Sequence, residues 1–209
     1  MRHTKIQSKK ALNRSPDQQR IVSGARQHFL THGFRGVTMD DLARELGMSK
    51  KTLYMHFSSK TALLEAVLYD KFNDIESDLK QIADLSASDF LIALQQLLAC
   101  MQRHTSEIQP SFVRDIQREA PEMFKLIENH RRELIQRYFG KVFYEGRQAG
   151  LIRKDISTNL IIEILLGATE SIMNPKKMSE LDLTPTAGYS AIIQVILEGV
   201  ITTKRRLKS

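Results

Sequence analysis

Between residues 50 and 60 the chain carries Lys50, Lys51, Thr52, Tyr54, His56 and Lys60. Lysine supplies a compact cation, while threonine, tyrosine and histidine supply hydrogen-bond donors and acceptors. Together they suit phosphate oxygens and the polar edges of bases. The spacing also sorts them. Leu53 and Phe57 stand four apart, so a helix capped by Ser49 turns that pair inward. Lys50, Lys51, Thr52 and His56 then face outward, with Tyr54 and Met55 completing the surface. Lys60 follows Ser59, a candidate N-cap. A cation there opposes the helix dipole, a conflict that a bound phosphate would remove.

The elements that must hold this set are legible from their caps. Ser15, Pro16 and Gln18 form a capping box with proline at the first helical position, and Asp17 suits the dipole. Ile21, Val22, Ala25 and Phe29 then make one apolar stripe that ends at Gly33. Thr38 caps a second helix with Asp40 and Asp41 in its first turn and Met39, Leu42, Ala43 and Leu46 inside. Gly47 breaks it, because a steep crossing of two helices needs a left-handed residue in the turn. Segment 38–57, TMDDLARELGMSKKTLYMHF, therefore reads as a helix-turn-helix locked to the first helix by Leu42, Ala43, Leu46, Met48, Leu53 and Phe57. A fourth helix opens at Lys60 and carries Leu63, Leu64, Val67 and Leu68.

Over residues 21–67 the chain resembles the DNA-binding domain of the TetR family of bacterial regulators. The likeness rests on Ala25, Phe29, Gly33, Phe34, Thr38, Leu42, Ala43, Gly47, Ser49, the run Thr52, Leu53, Tyr54, and then His56, Phe57, Lys60 and Leu63. The resemblance implies phosphate contacts from Thr38, Tyr54 and Lys60, and places Lys50, Lys51, Thr52 and His56 against or near the bases. Lys51 stands where many members have glycine. The resemblance further implies a homodimer, double-stranded DNA as partner, a small-molecule effector, and repression relieved by that effector from a palindromic operator.

Charge supports a phosphate-rich partner. Residues 1–60 hold 12 Lys and Arg against 4 Asp and Glu, whereas residues 61–209 hold 19 against 20. A surface that is only soluble has no reason to segregate its charge this way. No apolar run approaches the roughly 20 residues of a membrane span. The basic start, with Arg2, His3, Lys5, Lys9 and Lys10, lacks the apolar segment of a secretory signal. A cytoplasmic protein is expected. No HExxH, phosphate loop, dinucleotide fingerprint or nucleophile elbow occurs, so neither catalysis nor a cofactor is expected. Cys100, the single cysteine, and His104 stand four apart, but two ligands are too few for a metal centre and none is expected.

The remainder reads as helix after helix. Ser88 caps one with Phe90, Leu94, Leu97 and Met101. A short one lies between Pro110 and Pro121, and a long one follows Pro121 to near Gly146 or Gly150. Another spans about 158–173, residues 174–185 form a loop, and a last helix runs from Tyr189 to about Leu207. The expected fold class is all-α. An N-terminal three-helix DNA-binding domain with a helix-turn-helix is joined by a linking helix to a larger helical bundle for dimerisation and ligand binding. The domains expected are a basic flexible arm at 1–14, the DNA-binding domain at 15–75, and the regulatory and dimerisation domain at 76–209. Met101, Phe112, Phe124, Phe139 and Phe143 are the candidate ligand-pocket residues. Leu160, Ile161, Ile164, Leu165 and Ala168, with Ile192, Ile193, Ile196, Leu197 and Val200, are the candidate dimer seam, paired as a four-helix interface. Two alternatives stay open: an activator or ligand-independent regulator of the same fold, and a helical ligand-binding module whose basic end meets a membrane surface.

Overall fold

The structure, a computed structural model, describes residues 14–85 and 90–200, which are helices and the turns that join them. The helices are α1 (Pro16–His32), α2 (Met39–Glu45), α3 (Lys50–His56), α4 (Lys60–Leu85), α5 (Phe90–Ser106), α6 (Pro110–Glu119) and α7 (Pro121–Leu134). They continue with α8 (Gly140–Gln148), α9 (Thr158–Ile172), α10 (Pro175–Glu180) and α11 (Pro185–Val200). Between α7 and α8 the backbone widens into a π-turn, Ile135–Phe139, without leaving the helical conformation, so the long helix that the sequence suggests runs on through it to Gln148. The extra residue of such a turn shifts the register of the side chains beyond it.

The chain forms two compact units, one within Met1–Asp74 and Glu107–Ile127, the other within Ile75–Ser106 and Glu128–Ser209. The first has its own core of Ile21, Val22, Ala25, Phe29, Leu42, Ala43, Leu53, Leu63, Leu64 and Val67, closed by Phe112, Ile116 and Ala120. Thus residues 107–127, expected in the regulatory domain, belong to the first unit. The reason is apolar burial: α6 turns Phe112 and Ile116 into the groove beside α1, and Gln109 donates its amide hydrogen to the Leu30 carbonyl. The chain passes between the units within α4, after α5 and within α7.

The second unit packs α5, the π-turn, α8, α9 and α11 around Leu97, Ile135, Phe139, Phe143, Ile161, Leu165 and Ile192. Two boundaries differ from the sequence reading. Asn174 accepts from the Lys177 amide and Pro175 takes the first helical position, so α10 forms where a loop is expected. Thr184 similarly caps α11, which starts at Pro185 rather than Tyr189. The cap at Ser88, the basic tail and the arm up to residue 13 lie outside the described residues. Arg14, assigned to that arm, is fixed: its guanidinium bonds Asp70 at 2.9 Å and the Ala66 carbonyl at 2.7 Å.

Candidate nucleic-acid interface

Three N-caps build the reading head. The Ser15 hydroxyl accepts from the Gln18 amide while the Gln18 side chain accepts from the Ser15 amide, each at 3.2 Å. Thr38 makes the equivalent box with Asp41, and Ser49 accepts from the Thr52 amide at 3.0 Å. Such caps satisfy amides that have no partner inside the helix, each contributing about 1 kcal/mol. Between α2 and α3, Gly47 sits at φ +62°. That left-handed turn lets Leu42, Ala43 and Leu53 reach the α1 core together.

With Leu53 fully buried, α3 presents its other face to solvent. Lys50, Lys51, Thr52 and Tyr54 are exposed, His56 is half-buried at the last position, and Met55 is 76% exposed. Thr38 is exposed at the start of α2, and Lys60 is half-buried at the start of α4. These are the residues singled out from sequence, and all belong to one unit.

Their internal partners differ. The Lys50 ammonium lies 2.8 Å from the Asp40 carboxylate, which raises its pKa through the hydrogen bond and the opposite charge. Lys51 has no ion-pair partner among the described residues. The Thr38 hydroxyl is engaged in the cap: it accepts from the Asp41 amide and donates to the Asp41 carboxylate at 2.6 Å. Those bonds hold Asp41 below its usual pKa. Lys60 rests 4.3 Å above the Phe34 ring. Burial lowers its pKa, with Glu119 and Asp115 acting in the opposite sense. The conflict between this cation and the dipole of α4 is therefore met inside the chain, by an aromatic face and two carboxylates. The Ser59 hydroxyl, accepting from the Ala62 amide at 3.0 Å, completes that helix start.

Residues 21–67, which hold α2, α3 and the start of α4, match the family model for bacterial regulatory proteins of the tetR family. That segment is a TetR-family DNA-binding domain. Full-length likeness agrees. The chain is 25% identical over 191 residues to the HTH-type transcriptional regulator UidR of Escherichia coli strain K12, covering 90% of this chain and 94% of that one. It is 22% identical over 187 residues to the HTH-type transcriptional repressor DhaR of Mycobacterium sp. strain GP1, covering 86% and 94%. Among solved structures, a transcriptional regulator from Saccharomonospora viridis in complex with choline shares the fold. Its TM-score is 0.67 at 18% identity, covering 90% of this chain and all of that one. The chain is thus a helix-turn-helix, DNA-binding transcriptional regulator. No helix among its described residues is long and apolar enough to cross a membrane.

The other expected sites are redistributed. Phe112 lies in the core of the first unit with Phe124 packed against it, whereas Met101, Phe139 and Phe143 belong to the core of the second. Aromatic residues on amphipathic helices serve whichever core their helix meets. A cleft of about 530 Å³ in the second unit is lined instead by Gln136, Gly140, Tyr144, Thr158, Asn159, Ile162 and Glu163.

Of the seam residues, Ile161, Leu165, Ile192, Ile193, Ile196 and Val200 are buried within the chain's own core. That is a correction with a simple cause: each apolar helix has an inward stripe, and these six form it. Leu160 and Ile164 on α9 stay about half exposed, and Ala168 and Leu197 are partly buried. Val195 on α11, absent from the expected set, is 71% exposed.

Sequence reasoning found two members of a further cluster and missed the third. Asp78 on α4 joins Cys100 and His104 on α5, and no periodicity could have connected residues of different helices.

Proposed function

We propose that α3 is the recognition helix of a homodimeric repressor that binds a palindromic operator and leaves it when a small ligand occupies the second unit. The observation that carries this is the division of α3: Leu53 anchors it, and Lys50, Lys51, Thr52, Tyr54 and Met55 are all exposed on the opposite side. Lys50, Lys51, Thr52 and His56 serve the bases or their immediate phosphates, and Thr38, Tyr54 and Lys60 the backbone. Because the Thr38 hydroxyl already donates to Asp41, a phosphate there takes its hydrogen bond in exchange for the carboxylate's.

The second copy docks on the faces of α9 and α11 that the core leaves open. Leu160, Ile164 and Gly167 share one side of α9, and Ala191, Val195 and Gly199 one side of α11. A Cβ at Gly167 or Gly199 would meet nothing within 4 Å, so a partner helix can approach closely at both. Two such pairs make a four-helix seam that sets the reading heads about 34 to 36 Å apart on DNA. The choline complex of a structural relative supports a small-molecule effector. Effector and DNA must then weaken each other's binding by the same factor.

The test is a fluorescence-anisotropy titration on duplexes from the DNA beside the protein's own gene, against random duplex, across a salt series. Lys60→Ala and Tyr54→Phe should weaken both DNAs alike and Lys60→Ala should flatten the salt dependence, whereas Lys50→Ala and Thr52→Ala should change the preferred bases. Equal losses on operator and random DNA for all four variants would overturn the assignment of α3.

A further inference from the structure

Cys100 and His104 lie one turn apart on α5, and Asp78 approaches them from α4, all within the second unit. The Cys100 sulfur, a ring nitrogen of His104 and a carboxylate oxygen of Asp78 lie within 4.8 Å of one another. Cys100 is 1% exposed and His104 7%. Nε2 of His104 is 2.8 Å from Asp78 Oδ2, while Nδ1 is buried with no hydrogen-bond partner among the described residues. Buried polar atoms are nearly always satisfied, so this ring carries one nitrogen to spare.

We infer that Asp78, Cys100 and His104 form a binding site for one divalent cation of the zinc class. Thiolate, imidazole and carboxylate together are the donor set of a borderline-soft ion, whereas magnesium and calcium take oxygen shells. Ligands of a four-coordinate zinc sit roughly 3 to 4 Å apart, so the cluster closes on the ion by side-chain rotations of about 1 Å. Thiolate and carboxylate contribute two negative charges that neutralise the ion, and the neutral imidazole completes a three-residue set whose fourth position takes water. The Cys100 thiol loses its proton to solvent as the sulfur–metal bond forms. Arg103, which bonds Asp78 Oδ2 at 2.6 Å, is exposed and returns to water when that carboxylate turns to the ion. The cation then ties α4 to α5 where a hydrogen bond now joins them.

The reduced, chelator-treated full chain is titrated with Co²⁺, read by its thiolate charge-transfer absorption, and then with Zn²⁺ as competitor. Because Cys100 is the single cysteine, that band reports this site alone. One Co²⁺ per chain is expected, displaced by Zn²⁺ and not by Mg²⁺. Cys100→Ala should abolish the band. Asp78→Asn, at a partly exposed position where the fold tolerates it, should keep the band and weaken binding about 10- to 100-fold, as should His104→Gln. Circular dichroism checks each variant's fold. Absence of the band in the wild-type chain overturns the inference. So does a band whose affinity is unchanged in folded Asp78→Asn and His104→Gln, since the thiol would then be binding adventitiously.

Discussion

Replacing Glu107 by glutamine should cost the protein about 2 kcal/mol at neutral pH and distinctly less in alkali. Lys71 on α4 is 5% exposed, and its ammonium pairs with the Glu107 carboxylate just before α6. Removing one member of a buried pair costs about 3 to 5 kcal/mol, because the remaining charge is stranded. Glu107 is 43% exposed, so water replaces part of what is lost and the figure is reduced to about 2 kcal/mol. Arg26, which approaches Glu107 at 3.7 Å, retains Asp70 and Asp74 and adds little.

The pH dependence has a definite sign. Burial already holds the Lys71 pKa below its ordinary 10.5, with Glu107 acting to raise it. The unfolded chain therefore keeps this proton to higher pH than the folded one, and stability rises with pH over the window just below 10.5. Without Glu107 the folded pKa falls further and the window widens downward, so neutralising Lys71 recovers more. Urea denaturation of wild type and Glu107→Gln at about pH 7.5 and about pH 9.5, at one protein concentration, measures both effects. In a Lys71→Met background the Glu107 change should cost under about 1 kcal/mol, since no charge is left stranded. A loss below about 0.5 kcal/mol at neutral pH, or one that grows toward alkali, would refute the reasoning.

Three further outcomes are expected. Gly47→Ala should lower the urea midpoint by the equivalent of about 1 kcal/mol with an unchanged slope, because at φ +62° the added Cβ meets nothing within 4 Å and only the backbone is strained. Ile164→Glu combined with Val195→Glu should give a monomer by light scattering with intact helicity. Ile161→Ala, inside the core, should instead cost about 2 to 5 kcal/mol of stability, and a dimer surviving the double change would remove α9 and α11 from the seam.

Local chemistry explains what could be read in advance. Ser15, Thr38, Ser49 and Ser59 mark helix starts because a cap is decided within four residues, and the reading head followed from them. The same signal stood at Asn174 and Pro175, where the polar run around it passed for a loop. Phe112 and Ile161 show the limit. Amphipathic spacing states that a stripe is buried, not which core or which copy of the chain covers it, so Phe112 changed unit and Ile161 moved from seam to interior. Asp78 lies further out of reach, since its meeting with Cys100 and His104 exists only once α4 and α5 have packed. The π-turn, too, has no signature in IQRYF.

The return of residues 107–127 to the first unit bears on how the molecule is made. A ribosome that has delivered the chain as far as Asp74 has delivered all of α3 but not Phe112, Ile116 or Ala120, which close that core. That core stays open until the 46 further residues to Ala120 have emerged, and α5 of the other unit is synthesised in the interval. The core behind the helix-turn-helix therefore closes late in translation, after α5 of the other unit has been made. A gene fragment ending near residue 75 would encode α3 without the Phe112, Ile116 and Ala120 packing that closes its core.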